Sequence, residues 1–77
     1  MVLYIVNILM AIDDHVHSIH DTPISSIAKA NQILDNPEIL DHDLYDVKDC
    51  WSELIGVEVI QTELGSSDRK RIFGELF

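Results

Sequence analysis

The first twelve residues are apolar at every position except Asn7, and they open a chain of only 77 residues. That much apolar surface must be buried. At this length there is one core to bury it in, covering roughly 60% of the surface an unfolded chain exposes. The stretch is too short to span a bilayer, and Asp13-Asp14 follow it directly. It also lacks the positively charged start and small-residue cleavage site of a secretory signal. A single small acidic domain over residues 1–77, with no membrane segment, is the expectation.

Within this stretch and beyond it, Val2, Ile5, Leu9, Ile12, Val16 and Ile19 recur at steps of three and four, the stripe of a helix running from about Val2 to His20. Leu3, Tyr4, Val6, Ile8 and Met10 make its first half apolar nearly all round, so such a helix sits centrally or faces a second copy. Tyr4 is assigned to the core. Val, Ile and Tyr also favour strands, which sets a competing strand over 2–9. A second helix starts at Thr22-Pro23, a capping residue followed by a proline suited to the first helical position, and Pro37 stops it.

A third helix is expected from Asn36 as cap and Pro37 as first residue to Gly56 as stop. On a wheel of about 100° per residue, Leu40, Leu44, Val47, Trp51, Leu54 and Ile55 form one face and the acids lie opposite. The segment 57–64 reads as a strand or as a helix, and Gly65 ends it. Ser66-Ser67 then cap a last short helix carrying Ile72, Phe73, Leu76 and Phe77. The fold class expected is mainly α, a compact bundle of three to four helices. The alternative is α+β, with short strands at 2–9 and 57–64.

Charge narrows the function class. Fourteen acids face five bases, a net charge of −9. Such a surface repels nucleic-acid phosphates and anionic lipid, so neither is an expected direct partner, whereas basic protein surfaces and cations are. Three of the five bases, Arg69, Lys70 and Arg71, are consecutive. A single cysteine, Cys50, cannot form an internal disulfide, which places the chain in a reducing, cytoplasmic compartment. Cys50 also falls on the apolar side of the expected third helix, as packing rather than as a nucleophile. Between Asp35 and Glu53 there are seven acids and only Lys48 to relieve them. Asp35, Glu38, Asp43, Asp46, Asp49 and Glu53, with Tyr45 on the rim as an aromatic anchor, form the expected partner-binding face.

Motifs for catalysis are missing. Gly56, Gly65 and Gly74 are scattered and make no phosphate loop, and no Gly-x-Ser-x-Gly elbow occurs. Size and acidity fit an acyl carrier protein, but the Asp-Ser-Leu attachment motif is absent and that reading is rejected. His42-Asp43 matches the dyad of a phosphohydrolase family in a chain too short for that fold. The run Asp13–Asp21 holds the weak metal candidates. On a helix, Asp13, His17 and either His20 or Asp21 share a face, and imidazole and carboxylate at that spacing suit zinc. The plainer reading is a polar helix end, and no metal or other cofactor is expected.

The chain is thus expected to be no enzyme but an acidic inhibitor or neutraliser, docking on a basic protein surface of the kind that binds nucleic acid. In character this is like small bacterial immunity proteins, antitoxins and phage-encoded inhibitors. The runner-up is a structural or assembly subunit, a small homodimer formed through the N-terminal helix. The third reading is a weak metal-binding module.

Overall fold

The computed structural model describes residues 1–11, 14–40 and 54–77 of the chain. Strands β1 (Val2–Met10) and β2 (His15–His20) form an antiparallel pair. Helix α1 (Pro23–Asp35) follows, then a 3-10 turn over Pro37–Ile39. Strands β3 (Leu54–Glu63) and β4 (Arg69–Leu76) form a second antiparallel pair. The two pairs join through β1 and β3, from Val2 opposite Glu63 to Met10 opposite Leu54, giving the strand order β2-β1-β3-β4.

This pairing fixes which residues share a face, because side chains alternate along a strand and directly opposed residues point the same way. Tyr4, Val6, Ile8 and Met10 lie on one face of β1, beside Val57 and Val59 of β3. Helix α1 packs on that face. Val6, Ile8, Ala30, Ile33, Leu40, Val57 and Val59 are fully buried there, with Ile27, Leu34, Leu54 and Phe73 against them. Leu3, Ile5, Leu9 and Ile60 lie on the opposite face of the sheet.

Among the described residues the fold is a four-stranded antiparallel sheet with one helix, not a helical bundle. The expected first helix is replaced by β1 and β2. A central strand with neighbours on both edges and side chains on both faces is apolar nearly throughout, so the crowding of Val2–Met10 satisfies a strand as well as a buried helix. The strand alternative at 2–9 and 57–64 overlies β1 and β3, although it included neither β2 nor β4. The expected third helix does not reach Gly56, because Leu54–Gly56 already belong to β3. Its start also differs: Asn36 makes no side-chain cap, and Pro37–Ile39 is a 3-10 turn. Residues 41–53, with Leu44, Val47, Cys50 and Trp51, lie outside the described residues. The expected last helix is β4, reached through a turn in which Gly65 has φ 87° and Ser66 N–H donates to the Glu63 carbonyl at 2.9 Å.

The second expected helix is present as α1. Thr22 caps it, its hydroxyl oxygen accepting from Ser25 N–H at 3.2 Å, and Pro23 occupies the first turn. Buried Ser26 is satisfied locally, donating to the Pro23 carbonyl at 2.7 Å.

Close contact between β3 and β4 depends on Gly56. A Cβ there would collide with the Glu75 carbonyl oxygen and lie 3.1 Å from Leu76 Cα, both backbone atoms that no rotamer change moves aside. Gly56→Ala is therefore expected to cost about 2–3 kcal/mol by forcing the strands apart. Urea denaturation checks this, and an unchanged midpoint contradicts it.

Candidate functional site

The charged groups of the chain are arranged around the sheet unevenly. Arg69, Lys70 and Arg71 all fall on β4, at one edge. Arg71 is the one base engaged in an ion pair among the described residues: its Nε lies 3.1 Å from Glu58 Oε2. Asn7 Nδ2 donates to the other oxygen of the same carboxylate at 3.0 Å. Asn7 and Glu58 are directly opposed on β1 and β3, and Glu58 opposes Gly74 on β4. Arg71 lies over Gly74, where an added Cβ would come within 2.6 Å of the guanidinium. The glycine thus leaves room for the arginine to cross to Glu58. This trio is the polar centre of the sheet face that α1 does not cover, and the apolar residues Leu3, Ile5, Leu9 and Ile60 share that face.

The remaining described acids are solvated. Asp14, Asp21, Asp35, Glu38, Glu63, Asp68 and Glu75 are all exposed. Asp35 closes α1 and Glu38 sits in the 3-10 turn, so these two expected docking residues come from adjacent elements at one end of the molecule. Beside them, an open groove of about 430 Å³ runs between the C-terminal half of α1 and β4. Leu34, Pro37, Phe73 and Phe77 supply its apolar surface and Asp35 and Glu75 its carboxylates, and among the described residues no base lines it. The other expected docking residues, Asp43, Tyr45, Asp46, Asp49 and Glu53, lie outside the described residues.

The metal candidates are placed differently from the helical spacing that suggested them. His17 and His20 belong to a strand, Asp21 follows it, and Asp13 lies outside the described residues. His17 is the extra residue in β2 at the irregularity where Val6 faces Ser18 and Asn7 faces Val16. Both ring nitrogens of His20 are occupied. Nε2 lies 2.8 Å from Ser18 Oγ and Nδ1 lies 3.2 Å from Ser25 Oγ. Ser25 Oγ donates to the Thr22 carbonyl and accepts from Thr22 Oγ1. Each of the two His20 contacts joins a ring nitrogen to a hydroxyl that can donate or accept. The imidazole ties β2 to the start of α1. Among the described residues, no group of three His, Cys, Asp or Glu side chains is placed to hold a metal ion.

Sequence reasoning had not paired Asn7, Glu58 and Arg71, nor found the groove. One signal was present: Glu58 interrupts the apolar run Val57–Ile60, the position of an acid that needs a partner. No helix among the described residues is long and apolar enough to cross a membrane.

Glu58 is only 14% exposed while Arg71 is 54% exposed, so the carboxylate is the group harmed by losing its partner. Arg71→Met is expected to cost about 1 kcal/mol, and adding Glu58→Met to cost less than its effect alone would add, because the unpaired carboxylate goes with it although buried Asn7 Nδ2 then loses its acceptor. A thermal-denaturation cycle over the two single variants and the double variant measures this; strictly additive losses contradict it.

Comparison with family models finds no match to this chain, and comparisons with curated proteins and with solved structures find none either.

Proposed function

We propose that the chain is a non-enzymatic acidic inhibitor or neutraliser, acting in the cytoplasm by docking on a basic protein surface that otherwise binds nucleic acid. The observation that supports this reading is charge left unneutralised by the fold. The bases gather on β4, whereas Asp35 and Glu38 stand exposed at the far end of α1 without an ion-pair partner among the described residues. From there the sequence continues into 41–53, with five further acids and one lysine. Holding so many like charges together costs stability, and a cationic partner recovers that cost. Carboxylates spread over such a surface mimic the phosphates that the partner would otherwise bind, and long-range attraction raises the association rate.

The test is capture from a cell lysate on the immobilised chain at about 50 mM and about 500 mM salt, followed by challenge with duplex DNA. A basic protein retained at low salt, released at high salt and displaced by DNA is the expected result. Retention that neither salt nor DNA disturbs overturns the reading. With the captured protein in hand, Asp35→Asn with Glu38→Gln should slow association about two- to fivefold and leave dissociation almost unchanged. Asp46→Asn, Asp49→Asn and Glu53→Gln should each do the same. Association rates equal to the parent's in all of them would remove the acidic face as the docking surface.

A further inference from the structure

We propose that β4 pairs antiparallel with β4 of a second copy of this chain, joining two sheets into one across a two-fold axis. β4 is an edge strand, with β3 on one side and no strand on the other among the described residues. No described residue pairs with its outer backbone groups, the arrangement to which another strand can add.

Bases on an edge strand usually guard against such pairing. Here the sequence Arg69-Lys70-Arg71-Ile72-Phe73-Gly74-Glu75-Leu76 turns the guard into a complement. The register of β4 against β3 shifts by one residue between Val59 and Ile60, which places Ile72 as the extra residue. Side chains on either side of that shift fall as follows. Lys70, opposite Gln61, and Glu75, opposite Val57, lie on the face that α1 packs against. Arg69, Arg71, Gly74 and Leu76 lie on the other.

One antiparallel register between two copies matches the faces of Arg69, Lys70, Arg71, Gly74, Glu75 and Leu76, with the irregular step at Ile72 at its centre. It sets Lys70 opposite Glu75, Arg71 opposite Gly74, Arg69 opposite Leu76 and Ile72 opposite Phe73. The two-fold axis repeats each pair, so two Lys70–Glu75 pairs flank a central apolar contact. The groove beside β4 supplies the complementary charge: among the described residues Asp35 and Glu75 line it without a base, and Lys70 of the second copy arrives at its mouth. Half-buried Phe73 and the exposed Phe77 and Leu76 gain cover from the same contact. Elsewhere the acidic surface opposes self-association, and β4, which carries three of the five bases, is where two copies repel least.

A charge swap tests the register. The parent is expected to sediment as a dimer of two 8.8 kDa chains at micromolar concentration and above. Lys70→Glu and Glu75→Lys, each at an exposed position, should weaken the dimer by about tenfold or more, because each sets like charges opposite one another twice. The double variant Lys70→Glu/Glu75→Lys should recover the parental dimer. Amide exchange over Arg69–Leu76 should also slow as parental concentration rises, a readout that needs no variant. A monomeric parent overturns the proposal. So does a dimer indifferent to both single changes, a double variant that fails to recover, or exchange in β4 that ignores concentration.

Discussion

Strand β1 is hydrogen-bonded on both edges, to β2 and to β3, and everything else in the fold is arranged around it. With α1 packed on one face, its Val6 and Ile8 become fully buried beside Val57 and Val59. Burial of such side chains stabilises by about 1.5–3 kcal/mol each, and in a chain this short there are few of them. Among the described residues α1 is the one helix, and it packs on β1, β2 and β3. A groove lies between α1 and β4 on the helical side. The opposite face holds apolar residues around the Asn7–Glu58–Arg71 trio. That trio shows how a charged group is kept at the middle of a sheet: the carboxylate receives one donor from each neighbouring strand, so burial leaves neither oxygen without a partner.

The sequence made α1 legible and misled over most of the rest, for identifiable reasons. Thr22 and Pro23 are chemically specific to a helix start, and both act in those roles. The stripe Val2–Ile19 carried no such specificity. When nearly every position is apolar, steps of three and four can be found alongside steps of two. Val16 and Ile19, three apart, seemed to extend a helical period. They lie on one face of a strand because the extra residue His17 shifts the alternation between them. Irregularity in pairing thus imitates a helix over short distances. Gly56 misled in the same way: it reads as a helix stop, yet it is a strand residue chosen for close approach to the Glu75 carbonyl.

Legibility of the candidate site follows the same division. Exposure of Asp35 and Glu38 was readable because an excess of acids with few bases leaves carboxylates in water. The partners of His20, Ser18 and Ser25, were not readable under a helical reading. On a strand, residues two apart share a face, and the start of α1 folds back to meet them. Glu58 was visible as an anomaly, but its partners lie on two other strands, one of them 51 residues away in sequence. No local pattern encodes such a contact.

The basic triplet acquires its meaning only from the topology. Placed at a helix start, Arg69, Lys70 and Arg71 would oppose the helix dipole, a conflict that calls for an external partner. Placed on β4, the same residues separate into different tasks. Alternation sends Lys70 to one face and Arg69 with Arg71 to the other. Arg71 crosses to Glu58 and neutralises the only acid set within the sheet's polar centre, while Arg69 and Lys70 stay in solvent. The edge therefore holds cationic charge that the interior does not consume. In a molecule this acidic, that edge is where like charge is least concentrated, while Asp35 and Glu38 stay exposed to solvent. Asp35 and Glu75 line one groove, so the end of α1 that carries exposed acids adjoins the strand that carries the bases, and it is the strand order that brings them together.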